Sequence, residues 1–254
     1  MNLPSAFLTT PLAHRALHDV TDHRPENSRA AIRAAIAGGY GIEIDLQLSG
    51  DGVAMVFHDY MLDRLTPETG ALRLRSAAAL AQIPLTGGDG ETIPTLDEVL
   101  ALVGGRVPLL IEIKDQDGGM GPDIGPLETA TAAALVNYRG DVALMSFNPH
   151  SVGEMARLLP QVPRGITTSA YLPEDWPLPA KTCDHLREIP DYASAGACFI
   201  SHESFDLSRP RVGALKQAGA AVLCWTIRSP EEEATAREIA DNITFEGYLA
   251  PTQP

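Results

Sequence analysis

The stretch from residue 41 to residue 48 alternates strictly between apolar and polar side chains. Its apolar side carries Ile42, Ile44, Leu46 and Leu48, and its polar side carries Glu43, Asp45 and Gln47. Successive side chains of a β-strand point to opposite faces, so this period of two predicts a strand with two carboxylates on one face. Residues 49–52, Ser-Gly-Asp-Gly, predict a turn, and the apolar run 53–57 predicts a second strand that completes a hairpin.

The chemistry of this hairpin depends on how its two strands pair. With the turn centred after Gly50, antiparallel pairing sets Glu43 opposite His58. The same register sets Asp45 opposite Val56. An imidazole facing two carboxylates indicates a functional site. The alternative is a half-exposed edge hairpin with a polar outer face, which is common in antiparallel sheets.

The rest of the chain alternates between predicted strands and predicted helices. Further strands are predicted at 12–17, 108–114, 142–147, 164–168, 197–201, 221–227 and 243–246. Helices are predicted at 29–37, 96–102, 126–138, from 148 or 151 to 159, and at 184–194, 208–218 and 230–240. Residues 60–95 lack a strong period and are interpreted as a short insertion with a helix near 76–82. With the 53–58 arm as an annex of its hairpin, eight alternating strands predict an α/β fold, a single (β/α)8 TIM barrel over residues 1–254.

Composition restricts the class of protein and the compartment. With 254 residues, 44% of them apolar, the chain can bury a large core. No stretch approaches the roughly 20 apolar residues of a membrane span. The first residues lack the basic and apolar regions of a signal peptide, and the three cysteines have no metal-type spacing. We therefore expect a cytoplasmic protein with reduced thiols and no membrane partner.

The charge of the chain restricts its ligands. A net charge of −14 disfavours binding to nucleic acid and to anionic membranes. A site for an anionic ligand must therefore contain a metal ion or a few well-placed cations.

Three carboxylates on two predicted barrel strands indicate a metal site. Glu112 and Lys114 lie two apart on a strand patterned like that of Glu43 and Asp45, and ionised groups inside a barrel are costly unless paired or bound to a cation. Carboxylates about 5 Å apart repel by roughly 3 kcal/mol per pair at an effective dielectric of about 20. Oxygen ligands alone favour Mg²⁺ or Ca²⁺ over Zn²⁺. The alternative is that Lys114 neutralises one carboxylate in a buried ion pair.

Seven short motifs, spread in order along the chain, resemble those of the glycerophosphodiester phosphodiesterase family, in particular its small bacterial members. They are His14-Arg15, Pro25-Glu26-Asn27, Glu43-Ile44-Asp45, Phe57-His58-Asp59, Glu112-Ile113-Lys114, Ser146-Phe147 and Trp225-Thr226-Ile227. The resemblance runs from residue 11 to about residue 247. It implies a (β/α)8 barrel and a metal-dependent hydrolase that converts a small-molecule glycerophosphodiester into glycerol 3-phosphate and an alcohol.

The resemblance also implies roles for individual residues. Glu43, Asp45 and Glu112 would hold the cation, Mg²⁺ or Ca²⁺. His14 and His58 would form the acid–base pair, and Arg15 and Lys114 would contact the phosphate. Phe147 and Trp225 would form walls of the glycerol pocket, although plain barrel packing explains them equally well. The nucleophile in the family is thought to be the substrate's own 2-hydroxyl, which gives a cyclic phosphate that water opens.

Two positions depart from the family pattern. Ala16 stands where the family usually has glycine, and the usual Thr-Asp near the last strand appears here as Thr244-Phe245, with Glu246 one place later. The roles of Glu26, His18 and His23 stay open, as do the alcohol and the oligomeric state. A lysophospholipid or another headgroup is an alternative substrate, because loops rather than the barrel set specificity. A barrel that binds a phosphorylated ligand without turnover is the alternative outside the enzymes.

Overall fold

The computed structural model describes residues 1–252 and shows strands and helices in alternation. The strands are Leu12–Ala13 (β1), Gly41–Leu48 (β2), Ala54–Val56 (β3), Leu109–Ile113 (β4), Val142–Ser146 (β5), Arg164–Thr168 (β6), Phe199–Glu203 (β7), Ala221–Ile227 (β8) and Asn242–Phe245 (β9). The helices are Ala6–Thr9 (α1), Arg29–Gly38 (α2), Ala77–Leu80 (α3), Leu96–Val103 (α4), Pro126–Leu135 (α5), Pro149–Leu158 (α6), Ala180–Arg187 (α7), Pro210–Gln217 (α8) and Pro230–Ala236 (α9).

Eight of these strands form a closed parallel barrel. Strand β1 pairs in parallel with both β2 and β9, and the order β9-β8-β7-β6-β5-β4-β2 connects the two. Strand β3 stays outside the barrel and pairs antiparallel with β2. The predicted (β/α)8 TIM barrel with a hairpin annex is therefore confirmed. None of the helices within residues 1–252 is long and apolar enough to cross a membrane.

The hairpin register differs from the prediction by one residue. Leu46 pairs with Val56, and the Phe57 amide donates to the Asp45 carbonyl at 3.0 Å. The connection is one residue longer than expected because three residues, 50–52, form the loop, with Gly52 at φ 83°. The predicted pairing of Glu43 with His58 and of Asp45 with Val56 is therefore wrong. A slip of one residue reverses the faces of a paired strand, but His58 lies beyond β3 and still lines the same cavity as Glu43.

Several other elements differ from their predicted bounds by a few residues, among them α5 and α9, which end at Leu135 and Ala236 rather than at 138 and 240. Two differences have a clear physical cause. Strand β1 ends at Ala13 rather than near 17, because Arg15 and Ala16 adopt left-handed backbone angles of φ 53° and 65°. The helix predicted at 184–194 lies at Ala180–Arg187 instead, followed by a separate 3-10 turn at Pro190–Tyr192. Proline has no amide hydrogen and disrupts a helix interior, which explains the break.

The interior of the barrel is apolar at one end and polar at the other. Its bottom is filled by one cluster: Leu3, Phe7, Leu12, Leu110, Ala143, Met145, Phe199 and Leu223. Leu110 and Glu112 point to the same face of β4, two residues apart, so the polar end lies at the carboxyl ends of the strands. In TIM barrels this is the end that carries active sites.

The insertion 60–95 has a small core of its own. Leu62, Leu72, Leu80 and Ile83 pack there against Met55 and Phe57 of the hairpin arm. The short helix predicted near 76–82 is present as α3, capped by the Ser76 side chain. The insertion therefore anchors the segment that carries His58.

Candidate active site

All nine residues predicted for the site line one cavity of about 150 Å³ at the carboxyl ends of the strands. They are His14, Arg15, Glu43, Asp45, His58, Glu112, Lys114, Phe147 and Trp225. They come from six different strands or the residues just after them, so only barrel closure brings them together.

The carboxylates of Glu43, Asp45 and Glu112 form a buried cluster on β2 and β4. One oxygen of each lies within 4.8 Å of the others. Burial, together with the neighbouring Asp45 and Glu112, raises the pKa of Glu43 well above its ordinary value. The ionised cluster is therefore under electrostatic stress that a cation relieves.

Lys114 compensates two of these three acids. Its Nζ lies 2.7 Å from Asp45 Oδ1 and 2.5 Å from Glu112 Oε1. Burial raises the pKa of Asp45, but Lys114, His58 and Arg15 outweigh it and hold that pKa far below the usual range. The buried ion pair expected as an alternative is present, yet Glu43 lies outside it. Among residues 1–252 its carboxylate accepts a hydrogen bond only from the Arg15 amide, at 2.9 Å. The cluster therefore still offers three oxygen ligands, a donor set that fits Mg²⁺ or Ca²⁺.

Arg15 and the carboxylate cluster are positioned by the stretch 25–27. Glu26 accepts from the Arg15 guanidinium at 2.8 Å, and Asn27 Nδ2 donates to Asp45 Oδ2 at 2.9 Å. The cap of α2 is Ser28, whose side chain accepts from the Ala31 amide. Glu26 therefore contacts Arg15, whereas Ser28 caps the helix; the role of Glu26 was open from the sequence.

His14 is anchored by a carboxylate that sequence reasoning did not include. Its Nδ1 lies 2.5 Å from Glu246 Oε2, so the ring donates there and leaves Nε2 for the cavity. The hydrogen bond from His14, together with the nearby His18 and the charge of Arg228, holds the pKa of Glu246 far below its usual range. Arg228 Nε donates to the other carboxylate oxygen at 2.9 Å. The sequence indicated Glu246 only through its place next to Phe245, where the chain departs from the family pattern. Phe245 itself is buried in the core and packs against Tyr40.

His58 has a matching partner in Asp59. Its Nδ1 lies 2.6 Å from Asp59 Oδ1, and Arg64 Nε holds the other oxygen at 2.7 Å. Arg64 also donates to both oxygens of Glu26, at 2.8 and 2.9 Å. One guanidinium of the insertion therefore ties the His58 pair to the carboxylate that orients Arg15. The sequence carried no signal for Arg64.

Aromatic side chains form one wall of the cavity. The rings of Phe147 and Trp225 lie 5.6 Å apart, edge to face, and Trp225 Nε1 donates to the Ser201 carbonyl at 3.1 Å. Phe147 also lies 5.1 Å from the Trp176 ring. Both predicted wall residues therefore face the cavity and pack in a larger aromatic group.

A second groove of about 430 Å³ adjoins the first. It shares His58, Glu112, Lys114 and Phe147 with the cavity, and its own walls are mainly Tyr60, Met61, Met120 and Trp176. The groove gives the site a mostly apolar extension next to His58.

The structure also shows where the remaining open positions lie. Ala16 adopts φ 65°, the left-handed region that glycine adopts at no steric cost, and its amide donates to the Glu43 carbonyl at 2.9 Å. His23 does not line the cavity, whereas His18 Nε2 lies 3.5 Å from Glu246 Oε2. Ala16 therefore adopts the left-handed backbone conformation that glycine would adopt at this position.

Comparison with known proteins identifies the family. The model of the glycerophosphoryl diester phosphodiesterase family matches residues 14–241. This chain belongs to that family. The glycerophosphodiester phosphodiesterase of Caldanaerobacter subterraneus is 31% identical over 175 residues, which cover 66% of this chain and 70% of the relative.

Solved structures agree with the family assignment. A phosphodiesterase of Oleispira antarctica, in complex with the product sn-glycerol-3-phosphate, has a TM-score of 0.76 at 26% identity, covering 96% of this chain and 94% of that one. A glycerophosphodiester phosphodiesterase of Parabacteroides distasonis has a TM-score of 0.73 at 21% identity, covering 93% and 92%, which shows the fold alone. This member of the family is an enzyme of the phosphoric diester hydrolase class.

Proposed function

We propose that this chain hydrolyses a glycerophosphodiester to glycerol 3-phosphate and an alcohol, with a divalent cation, Mg²⁺ or Ca²⁺. One observation carries the proposal. Three buried carboxylates and the side chains of Arg15 and Lys114 line one cavity with two histidines, and each histidine donates its Nδ1 proton to a carboxylate of its own. The product bound to the Oleispira antarctica relative supports the same substrate class.

The cation would be held by Glu43, Asp45 and Glu112. A divalent ion there supplies stabilisation of the charge that grows on the phosphoryl oxygens. Arg15 and Lys114 line the same cavity and would bind the phosphate oxygens. In a chain with a net charge of −14, these two cations form the local exception that an anionic substrate requires.

The two histidines would divide the proton transfers. His58 would remove the proton from the glycerol 2-hydroxyl, which attacks phosphorus, and His14 would protonate the departing alcohol oxygen. Water then opens the cyclic phosphate with the roles reversed. Because Asp59 and Glu246 each accept an Nδ1 proton, both rings present Nε2 as the reacting nitrogen. Their carboxylates stabilise the imidazolium form, which His58 reaches when it accepts a proton and which His14 needs before it donates one.

The adjoining groove favours a second candidate substrate. Its walls of Tyr60, Met61, Met120 and Trp176 start beside His58 and would suit an apolar group. A lysophospholipid places an acyl chain next to the same glycerophosphate unit. The second proposal is therefore hydrolysis of a lysophospholipid by the same residues.

A substrate panel tests both proposals. Glycerophosphocholine, glycerophosphoethanolamine, glycerophosphoglycerol and a lysophospholipid are incubated with enzyme in Mg²⁺, in Ca²⁺ and in EDTA, and released phosphate monoester is measured. We expect turnover with either ion, none in EDTA, and recovery when the ion is returned. Full activity after exhaustive chelation would contradict metal dependence. Tight binding of glycerol 3-phosphate without turnover of any diester would favour the non-catalytic barrel.

A further inference from the structure

A second group of metal-ligating side chains lies beside the cavity, apart from the carboxylate cluster. One atom each of His14, His18 and Glu246 lies within 4.8 Å of the other two. His14 Nδ1 and His18 Nε2 approach the same Glu246 oxygen, at 2.5 and 3.5 Å. This group combines two imidazoles with one carboxylate, so its donor chemistry differs from that of the oxygen cluster.

His18 supplies an independent observation. Its Nε2 atom is buried and makes no hydrogen bond that meets ordinary geometry within the part of the chain that the structure describes, although the side chain as a whole is 25% exposed. An unsatisfied buried polar atom is costly and calls for an explanation. This nitrogen faces the carboxylate that already binds His14, and a shared ion would satisfy all three groups.

The donor set and the spacing both suit zinc. Two histidines and one glutamate are a common zinc ligand set, and Zn–N bonds of about 2.0–2.1 Å place tetrahedral neighbours about 3.3 Å apart. The observed separations of 2.5 and 3.5 Å lie on either side of that value. Arg228 holds the opposite oxygen of Glu246, which leaves Oε2 for the ion but adds a positive charge nearby that weakens binding.

The group can be reached without entering the catalytic cavity. A groove of about 490 Å³ runs past His18, Arg24, Glu246 and Tyr248. An ion could therefore bind while the carboxylate cluster holds Mg²⁺ or Ca²⁺ and substrate occupies the main cavity.

We propose that His14, His18 and Glu246 form a second, inhibitory metal site that takes Zn²⁺ or a similar transition metal. Binding replaces the Nδ1 proton of His14 with the ion and releases that proton to solvent. The ring then loses its hydrogen bond to Glu246 and can no longer cycle between imidazole and imidazolium. Inhibition rests on the proposed role of His14, whereas binding does not. Nitrogen donors favour Zn²⁺ here, and oxygen donors favour Mg²⁺ or Ca²⁺ at the other cluster.

The binding test uses full-length protein stripped with EDTA and dialysed into saturating Mg²⁺. Zn²⁺ is titrated against a chromophoric chelator, and Co²⁺ is added separately to look for the visible absorption of a tetrahedral site. We expect one Zn²⁺ per chain. In His18→Asn the affinity for Zn²⁺ should fall more than about tenfold. Losing a ligand should weaken binding at least as much as losing a group that only supports a ligand. His23→Asn is the matched control, a histidine of the same loop whose backbone, at φ 54°, suits asparagine.

Circular dichroism and melting confirm that both variants fold. Equal Zn²⁺ affinity in wild type and His18→Asn, or no binding in wild type, would overturn the site, whether or not the protein hydrolyses diesters. In the activity arm, Zn²⁺ in excess Mg²⁺ should inhibit wild type and His23→Asn but not His18→Asn. Inhibition that persists in His18→Asn would instead place Zn²⁺ in the carboxylate cluster. Binding that depends on His18 without any loss of turnover would overturn the inhibitory role.

Discussion

Removal of one carboxylate from the buried cluster should stabilise the metal-free protein. Glu43 lies within 4.8 Å of Asp45 and Glu112, and Lys114 pairs with those two acids but not with Glu43. Glu43→Gln removes its two repulsive pairs and keeps the shape of the side chain. We therefore expect the variant to melt above wild type in EDTA, although its turnover should be almost abolished because a ligand of the cation is lost.

The size of the effect follows from two limits. Each repulsive pair at 4.8 Å is worth about 3.5 kcal/mol at an effective dielectric of about 20. The gain cannot exceed the cost of protonating Glu43, because wild type can relieve the repulsion by binding a proton there. That cost is about 1.4 kcal/mol for each pH unit above the reference pKa of about 4.3, or about 4 kcal/mol at pH 7. The substitution should therefore stabilise the metal-free protein by up to about 4 kcal/mol. For a chain of this length, each kcal/mol raises the melting temperature by roughly 2–4 °C.

The sign of the pH dependence gives a second check. The pKa of Glu43 is raised in the folded protein by burial and by its acidic neighbours, so the folded state binds more protons than the unfolded state above about pH 4.3. This group therefore makes metal-free wild type lose stability as the pH rises from there through the folded pKa. Glu43→Gln should remove that loss.

Melting curves from pH 4 to pH 8, in EDTA and in saturating Ca²⁺, measure both effects. Glu238→Gln is the matched control, because it removes an exposed carboxylate far from the cluster in the fold and should change little. In Ca²⁺, wild type should gain far more stability than Glu43→Gln, because the ion binds the folded state. A variant that melts below wild type in EDTA, with the same pH slope, would refute the repulsion argument.

Three further substitutions test single roles. Lys114→Met should lower kcat/KM strongly even in Ca²⁺; normal kinetics with a lower melting temperature would leave Lys114 only the ion pair with the acids. His14→Ala should lose about 10²–10⁴-fold on a natural diester but much less on a p-nitrophenyl diester, whose leaving group needs no acid, while His58→Ala should lose comparably on both. The opposite pattern would exchange their roles. Arg64→Gln should lower kcat by less than about 100-fold, because Arg64 acts only through its hydrogen bonds to Asp59 and Glu26. Equal kinetics in variant and wild type would show that these hydrogen bonds do not affect catalysis.

Much of the site was predictable because barrel strands obey a simple rule. The period of two around Glu43 and Asp45 defines a strand face, and the same pattern at Glu112 defines another. Since the carboxyl ends of parallel barrel strands converge, residues far apart in sequence meet there without further information. The nine predicted residues, which lie on strands or just after them, therefore line one cavity.

The parts that escaped prediction depend on loops. The hairpin register turned on whether its loop has two residues or three, which Ser-Gly-Asp-Gly does not decide. Arg64 comes from an insertion whose path is set by its own small apolar core. Glu246 contacts His14 from the loop directly after β9, 232 positions away, and no local sequence pattern indicates such a contact. Long-range polar pairs between loops need the closed fold before they can be seen.

The burial of His14 makes a prediction about the pH dependence of catalysis. Burial lowers the pKa of His14, while the hydrogen bond and charge of Glu246 act in the opposite direction, and the net shift is downward. A general acid must be protonated before it acts, so kcat/KM, which reports the free enzyme, should fall as the pH rises through this lowered pKa. Glu246→Gln removes the group that opposes the downward shift, and the fall in kcat/KM should therefore move to still lower pH. Glu238→Gln should leave it unchanged.

The measurement is kcat/KM on a natural diester from pH 4.5 to pH 9 in saturating Mg²⁺. The p-nitrophenyl diester serves as the internal control, because its rate should not follow this group. A fall at the same pH in Glu246→Gln and wild type would mean that another group titrates, and a rise with pH at this point would make His14 the base.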